Sequence, residues 1–486
     1  MKLQSLLTGL KCKTIGNTEI DIQDIQNKSA KITNNSLFVA INGTKTNGEA
    51  FAHDAVQKGA VAVVSSHPIE NLNATQIIVK DPREMCGILA SRFFGEPSKH
   101  LTMIGITGTN GKTSTTYMIK HILEQNGKKV GVIGTSGYVW NNKTSTSALT
   151  TPDSIELQRM LATMLADGIN TVAMEVSAHA LDLNRTSGIV FDKAVFTNLT
   201  RDHLDYFKTM DNYFTAKAKL FTPKMCKEAI ICTDNQSGKL LAKNASVPVQ
   251  TYSTKNHANY FACRINHTPA GQTFIVGENH HLVNAFLPLF GHFNCQNAMA
   301  AIATCCSLGT SLPACVEAAK TMPQIGGRFN TIVMPNGGLV IIDYAHTPDG
   351  LLNVLTTSRE LAEARRGRLI SLFGCGGNRD TTKRPIMGEI SENLADYTII
   401  TSDNPRNEDP QQIIDQIAFG MNQNTHTQIP DREKAIQTAL KILGVNDVLL
   451  IAGKGQEDYI EQNGCRFPYS DYWVVSRAIS AYSQKE

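Results

Sequence analysis

Short apolar runs recur along the chain, each closed by a polar or glycine-rich turn and then by apolar positions spaced three and four apart. The runs predict strands at 36–41 and 60–64, then at 102–106, 130–134, 171–176, 194–199 and 228–232. A further set is predicted at 338–343, 369–373, 397–401 and 447–452. From about residue 100 these strands alternate with predicted helices, the first at 114–125, as in a parallel sheet covered by helices. Before residue 98 the pattern is mixed α/β, and the turn Gly95-Glu-Pro-Ser-Lys99 reads as a linker. Ile325-Gly-Gly-Arg-Phe-Asn330 has a composition compatible with a hinge before the last set. The expected fold class is α/β in three domains: mixed α/β at 1–98, a parallel-sheet P-loop domain at 99–329 and a Rossmann-like unit at 330–486. Ligands should gather at the carboxyl ends of the strands.

The bulk numbers agree with this division and exclude several functions. A chain of 486 residues is too long for one core. With 42% hydrophobic and 18% charged residues it is an ordinary globular composition, and a net charge of +3 gives no reason to expect nucleic acid or a membrane surface as partner. The 11 cysteines are scattered without C-x-x-C spacing, which argues for reduced thiols rather than disulfides or a zinc site. The first residues lack the apolar core of a signal peptide, and no run approaches the roughly 18 apolar residues of a membrane span. A soluble, cytoplasmic protein is the expectation.

The densest chemical signal is Gly105-Ile-Thr-Gly108-Thr109-Asn110-Gly111-Lys112-Thr113-Ser114, between a strand and a helix. Glycines there let successive N–H groups and the helix N-terminus converge on one anion, which suits a nucleotide phosphate. Lys112 can reach the outer phosphates, and the Thr113 hydroxyl can hold magnesium. The spacing departs from a standard Walker A loop at Ile106. A tight glycine turn with a solvated lysine would leave the Gly-Lys-Thr order unexplained.

Other polar clusters fall at predicted strand ends. Glu175 closes an apolar strand and can ligate magnesium, although a solvated strand-end glutamate would look the same. Asn198-Leu-Thr-Arg201-Asp202-His203-Leu-Asp205 is rich in ionisable groups, and His203 could meet a metal or a phosphate. By periodicity alone, the stretch 213–221 with Lys217 and Lys219 is an ordinary amphipathic helix. In the last unit come Asp343-Tyr-Ala-His346-Thr-Pro-Asp349, the turn Gly374-Cys-Gly-Gly-Asn-Arg379, the turn Asp403-Asn404-Pro405-Arg406, and Gly453-Lys-Gly-Gln-Glu457. Pro405 stiffens its turn, which presents an acid, an amide and a guanidinium together, a set able to hold both ends of an amino acid.

Together these motifs resemble the Mur ligase family, ATP-dependent enzymes that add amino acids to peptidoglycan precursors, and the resemblance runs from Ser29 to Tyr469. The loop Gly108–Thr113 matches that family's own phosphate loop, which accounts for the departure at Ile106. The Asp403–Arg406 turn resembles the motif of the meso-2,6-diaminopimelate-adding members. Arg406 can pair bidentately with the second carboxylate that distinguishes diaminopimelate from lysine. The resemblance implies an N-terminal UDP-binding domain, a central ATPase domain and a C-terminal amino-acid domain. It implies ligation of diaminopimelate to UDP-MurNAc-L-Ala-D-Glu through an acyl phosphate, with ATP and two magnesium ions.

By the same resemblance Lys112, His203 and Lys217 are catalytic, Thr113, Glu175, His203 and Lys217 form the metal sites, and Lys217 is carbamylated. ATP contacts would come from Gly108, Thr109, Asn110, Gly111, Lys112, Thr113, Ser114, Asn198, Asn294, Arg328 and Asp343. The nucleotide-sugar would meet Asn27, Ser29, Thr44, Lys45, Thr46, Leu149, Thr150, Thr151, Ser177, Leu183 and Arg185. Diaminopimelate would meet Arg379, Asp403, Asn404, Pro405, Arg406, Gly453 and Glu457, the last suited to an ammonium. Lys28, Ala30, Leu149, Leu183 and Gln456 depart from the residues frequent in the family and weaken individual contacts only. A monomer is expected. The alternatives are a lysine-adding or folylpolyglutamate-type ligase, opposed by Arg406 and by the full N-terminal unit respectively, and a non-ligating nucleotide-dependent switch.

Overall fold

The computed structural model describes every residue except 44, 45, 147, 148, 280, 423, 424 and 484–486. Three sheets follow one another along the chain, with a small hairpin, Tyr459–Gln462 and Cys465–Pro468, near the end. In the first unit Ala60–Ser65 and Ser36–Val39 are central strands of a five-stranded sheet, and Leu37, Val39, Val64 and Ile77 are buried in its core. The helix Pro82–Phe93 begins at Asp81, whose side chain caps the N–H groups of Arg83 and Glu84 and also accepts from Asn184 of the second unit at 2.9 Å. A side chain at Gly87 would collide with the Ser187 backbone. The first unit is therefore seated directly against the turn that precedes Phe191–Phe196.

The central sheet is broader than the alternation alone suggests. Its parallel strands run in the order Val130–Gly134, Thr171–Glu175, Thr102–Thr107, Phe191–Phe196, Cys226–Cys232, Val249–Ser253 and Tyr260–Thr268. Antiparallel strands extend both edges, Gly137–Trp140 and Lys143–Ser145 on one side, Gly271–Glu278 and His281–Leu287 on the other. The purely parallel expectation is corrected at these edges. Lys143–Ser145 is exposed throughout and His281–Leu287 mixes exposed and buried positions, so neither outer strand has the continuous apolar run that marks a strand covered on both faces. Thr102–Thr107 sits at the centre, flanked by Thr171–Glu175 and Phe191–Phe196, so three carboxyl ends open side by side.

In the third sheet Leu339–Asp343, Val448–Ala452, Leu369–Phe373, Tyr397–Thr401 and His426–Ile429 are parallel, with Asn330–Val333 antiparallel at one edge. Beneath its carboxyl ends lies a fully buried ion pair. Arg432 meets both Asp471 oxygens at 2.8 Å and also donates to the Ser402 and Ala452 carbonyls. Removing one partner leaves a buried charge without compensation. Asp471→Asn is expected to destabilise the fold by about 3–5 kcal/mol, measured as a shift in the chemical-denaturation midpoint.

The segment 325–330 is firmly packed. The Gly327 N–H donates to the Tyr472 hydroxyl at 2.8 Å, its carbonyl accepts from Tyr344 at 3.0 Å, and Gln456 rests against Gly326 and Gly327. No helix among the described residues is long and apolar enough to cross a membrane.

Candidate active site

The buried strand Thr102–Thr107 runs into loop 108–111 and then directly into the helix Lys112–Gln125. Gly108 has φ +152° and Gly111 +85°, and a side chain at either would strike Thr197 or Asn297. The neighbouring strand end holds this loop in place. Asn198 accepts the Asn110 N–H at 2.9 Å, Thr197 donates to the Asn110 carbonyl at 2.6 Å, and the Thr109 hydroxyl accepts the Thr200 N–H at 3.0 Å. Asn198 thus shapes the loop from behind. Ser114 is buried in the first helical turn.

Two lysines converge on this loop. Lys112 donates to the Gly108 and Thr109 carbonyls at 2.9 and 2.8 Å, and Lys217, on the helix Met210–Ala218, donates to the same Gly108 carbonyl at 2.8 Å. Lys217 is 1% exposed, with its amine 4.5 Å from the Tyr213 ring centre. Burial, then the adjacent Lys112, holds its amine well below the ordinary lysine range. Burial lowers Lys112 as well.

On one side of the loop Glu175 accepts from the Thr113 hydroxyl and the Thr135 N–H, each at 2.9 Å. Arg328 also donates to the Thr113 hydroxyl at 2.9 Å while stacking 4.5 Å from the Tyr344 ring centre. On the other side His203 lies 3.3 Å from Asp202 and edge-on to His179 at 4.8 Å. Burial keeps His203 neutral, far below the usual histidine value, against the pull of Asp202. His203 has φ +55°, a left-handed conformation that few non-glycine residues adopt, histidine more readily than most.

Among the described residues no three His, Cys, Asp or Glu side chains gather into a closed metal cage. The donors fit magnesium nonetheless, since that ion keeps several waters and takes one or two protein oxygens plus substrate phosphates. Thr113 and Glu175 supply such oxygens. His203 is held in its neutral form, whereas an unmodified Lys217 offers no anionic oxygen. Lys217 fits a metal only as a carbamate.

The third unit brings its turns to the facing edge. Asn110 donates to Asp349 at 2.8 Å, and Arg201 bridges to Asp380 and Thr382, so the phosphate loop and the third unit touch. Asn404 donates to Glu457 at 2.8 Å and accepts from Lys454 at 3.0 Å. Burial, then Asp403, raises the Glu457 carboxyl above its ordinary value. Gly453 has φ +117° and lies where a side chain would run into Asp403. Arg406, after Pro405, donates to the Gly377 carbonyl at 2.8 Å. Arg379 is exposed nearby, close enough to His179 to help depress its basicity.

Sequence reasoning did not assign Lys454, which is fully buried and bonds Asn404, Glu457 and the Tyr459 carbonyl. Its position in a Gly-Lys-Gly turn after an apolar strand was the available signal. Asp202, His346 and Lys383 were likewise unassigned. The Lys383 amine donates to the His346 carbonyl at 2.7 Å, and its charge helps draw the Asp202 carboxyl down against the opposing effect of burial, which also favours the neutral His346 ring.

Of the other expected nucleotide contacts, Asn294 lies buried in the first turn of His292–Ser307 and donates to the Phe290 carbonyl at 2.8 Å. Asp343 accepts the Phe329 and Ala345 N–H groups at 2.6 Å each, bracing the segment that carries Arg328.

Of the expected nucleotide-sugar residues, Asn27 lies where the first two units meet. Asn27 shares a cleft with Lys28, Asp153 and Arg159. Ser29 begins a short turn and bonds Asp54. Thr46 is exposed, and Thr44 and Lys45 lie outside the described residues. Leu149 is exposed, Thr150 pairs with Thr135 at 3.1 Å, and Thr151 accepts the Ser177 N–H at 3.0 Å. Ser177 caps Ala178–Asp182, Leu183 ends it, and Arg185 donates to the Thr151 carbonyl at 3.2 Å.

Family models match the chain in three successive stretches. Residues 21–94 match the Mur ligase family catalytic domain, 106–305 the Mur ligase middle domain and 327–455 the Mur ligase glutamate ligase domain. The UDP-N-acetylmuramoyl-L-alanyl-D-glutamate–2,6-diaminopimelate ligase of Clostridium botulinum is 41% identical over 466 residues, 94% of this chain and 95% of that one. The chain belongs to the Mur ligase family. A solved structure of a UDP-N-acetylmuramoyl-L-alanyl-D-glutamate–2,6-diaminopimelate ligase superposes with a TM-score of 0.71 at 32% identity, covering 99% of each chain. A MurF ligase from Thermotoga maritima in complex with ADP shares the Mur ligase fold at 17% identity, with a TM-score of 0.62 over 88% of this chain and 93% of that one.

Proposed function

We propose that this Mur ligase joins meso-diaminopimelate to UDP-MurNAc-L-Ala-D-Glu at the expense of ATP, in peptidoglycan precursor synthesis. The observation that carries the reading is the near full-length likeness to diaminopimelate ligases, supported by the Asp403-Asn404-Pro405-Arg406 turn in a third unit that touches the phosphate loop through Asp349. ATP phosphorylates the glutamyl carboxylate, the amino group of diaminopimelate attacks the acyl phosphate, and phosphate leaves.

The residues divide this work. The N–H groups of loop 108–111 and Lys112 hold the outer phosphates. Thr113 and Glu175 would hold one magnesium, and His203 with carbamylated Lys217 a second. The metals, when bound, neutralise charge on the transferred phosphoryl group. Asn294 and Arg328 flank the nucleotide. Arg185, Thr151 and Ser177 line the path of the nucleotide-sugar from the first unit. Arg406 pairs with the distal carboxylate of diaminopimelate, and Glu457, held by Asn404 and Lys454, takes its ammonium.

Both halves of the site come from one chain, so a monomer suffices, and ATP with a nucleotide-linked substrate suits the cytoplasm. The test is phosphate release with ATP, magnesium and UDP-MurNAc-L-Ala-D-Glu, comparing diaminopimelate, lysine and no acceptor. Release should depend on diaminopimelate. Equal release in all three would refute ligation, and a preference for lysine would refute the specificity.

A further inference from the structure

Arg406 carries an internal counter-ion. Its backbone is docked on the hairpin strand Tyr459–Gln462, with the Arg406 N–H on the Glu461 carbonyl at 2.9 Å and the Arg406 carbonyl accepting from Asn463 at 2.8 Å. The same docking brings the Glu461 carboxylate to 3.4 Å from Arg406 Nε, with the two side chains 27% and 21% exposed. Glu461 is also tied to the acceptor pocket through its N–H, which Asn404 accepts at 2.9 Å. One edge of the guanidinium faces Gly377 and another faces a carboxylate that already belongs to the protein.

We propose that Glu461 sets the acceptor selectivity of this enzyme by competing for Arg406. The inference rests on the assignment of Arg406 to the distal carboxylate of diaminopimelate. An arriving carboxylate must displace Glu461 or crowd a second anion against one cation, which weakens its binding. When lysine arrives no such anion enters, and Glu461 keeps Arg406 compensated. Glu461 therefore lowers the penalty that an unpaired arginine would impose on lysine. It softens a discrimination that Arg406 alone would make sharper.

The experiment measures steady-state kinetics of the full chain and of Glu461→Gln and Glu461→Ala, with diaminopimelate and with lysine. KM for diaminopimelate should fall about two- to five-fold, the range of a partly exposed ion pair, with no matching fall in kcat and no change in KM for ATP. The kcat/KM for lysine should not rise, so the ratio of diaminopimelate to lysine use increases. A KM that rises, as expected if Glu461 only props Arg406 in place, overturns the proposal, as does an unchanged ratio. Arg406→Lys run alongside separates the two ideas. If it discriminates as well as the wild type, the Arg406 assignment falls and takes the proposal with it. If it loses diaminopimelate use while both Glu461 variants behave as wild type, only the Glu461 proposal falls.

Discussion

Lys217→Ala should lower kcat for ligation by about 10³-fold or more while leaving the fold intact. The size follows from losing a carbamate-bound metal that offsets charge in phosphoryl transfer, worth several kcal/mol at about 1.4 kcal/mol per tenfold. The geometry favours the carbamylation proposed for this lysine. Its amine is buried beside Lys112, and burial first and then that neighbouring cation disfavour the ammonium, while the Gly108 carbonyl accepts one of its N–H groups at 2.8 Å. A neutral amine can add to carbon dioxide, forming an N–C bond and losing one proton, and the product is an anion opposite Lys112. Wild-type activity should therefore decline in carbon dioxide-free buffer and return with bicarbonate, whereas Lys217→Ala should respond to neither. Isotopically labelled carbon dioxide should give a carbamate resonance in the wild type only. Full activity of an enzyme whose Lys217 is shown to be unmodified would sink the assignment.

Arg406→Lys should reduce kcat/KM for diaminopimelate by about 10- to 100-fold, the cost of about 1.5–3 kcal/mol for a lost charge-assisted fork, with KM for ATP unmoved. A lysine ammonium is a point charge and cannot offer two parallel N–H groups to one carboxylate. The check is a steady-state comparison of the two enzymes at saturating ATP and nucleotide-sugar. An unchanged kcat/KM would remove Arg406 from the acceptor site.

Much of this site was legible in local pattern. The phosphate loop announced itself because a strand, a glycine turn and a helix are consecutive in the chain, and the anion site they form needs no distant partner. Glu175, Asp403 and Glu457 were legible for a related reason, since each follows an apolar strand whose end must open at the ligand edge of the sheet. Lys217 was not legible from periodicity, because two helical lysines look alike until packing decides which one is buried. Lys217 is 1% exposed, whereas Lys219 is exposed and reaches the half-buried Asp182 at 2.9 Å. Lys454 carried a weak signal only, since a charged residue in a glycine turn is solvated by default.

By itself the sequence determined the α/β class, the alternation that makes most of the central sheet parallel, the phosphate loop and the residue types of the acceptor turn, because each depends on neighbours in the chain. Only the tertiary structure decided which side chains share an electrostatic environment. It set Lys112 beside Lys217, held His203 neutral next to Asp202, buried Lys454 between Asn404 and Glu457, and docked the hairpin that brings Glu461 to Arg406. Burial and the approach of segments distant in the chain control charge at short range, and neither is encoded in the spacing of residues along it.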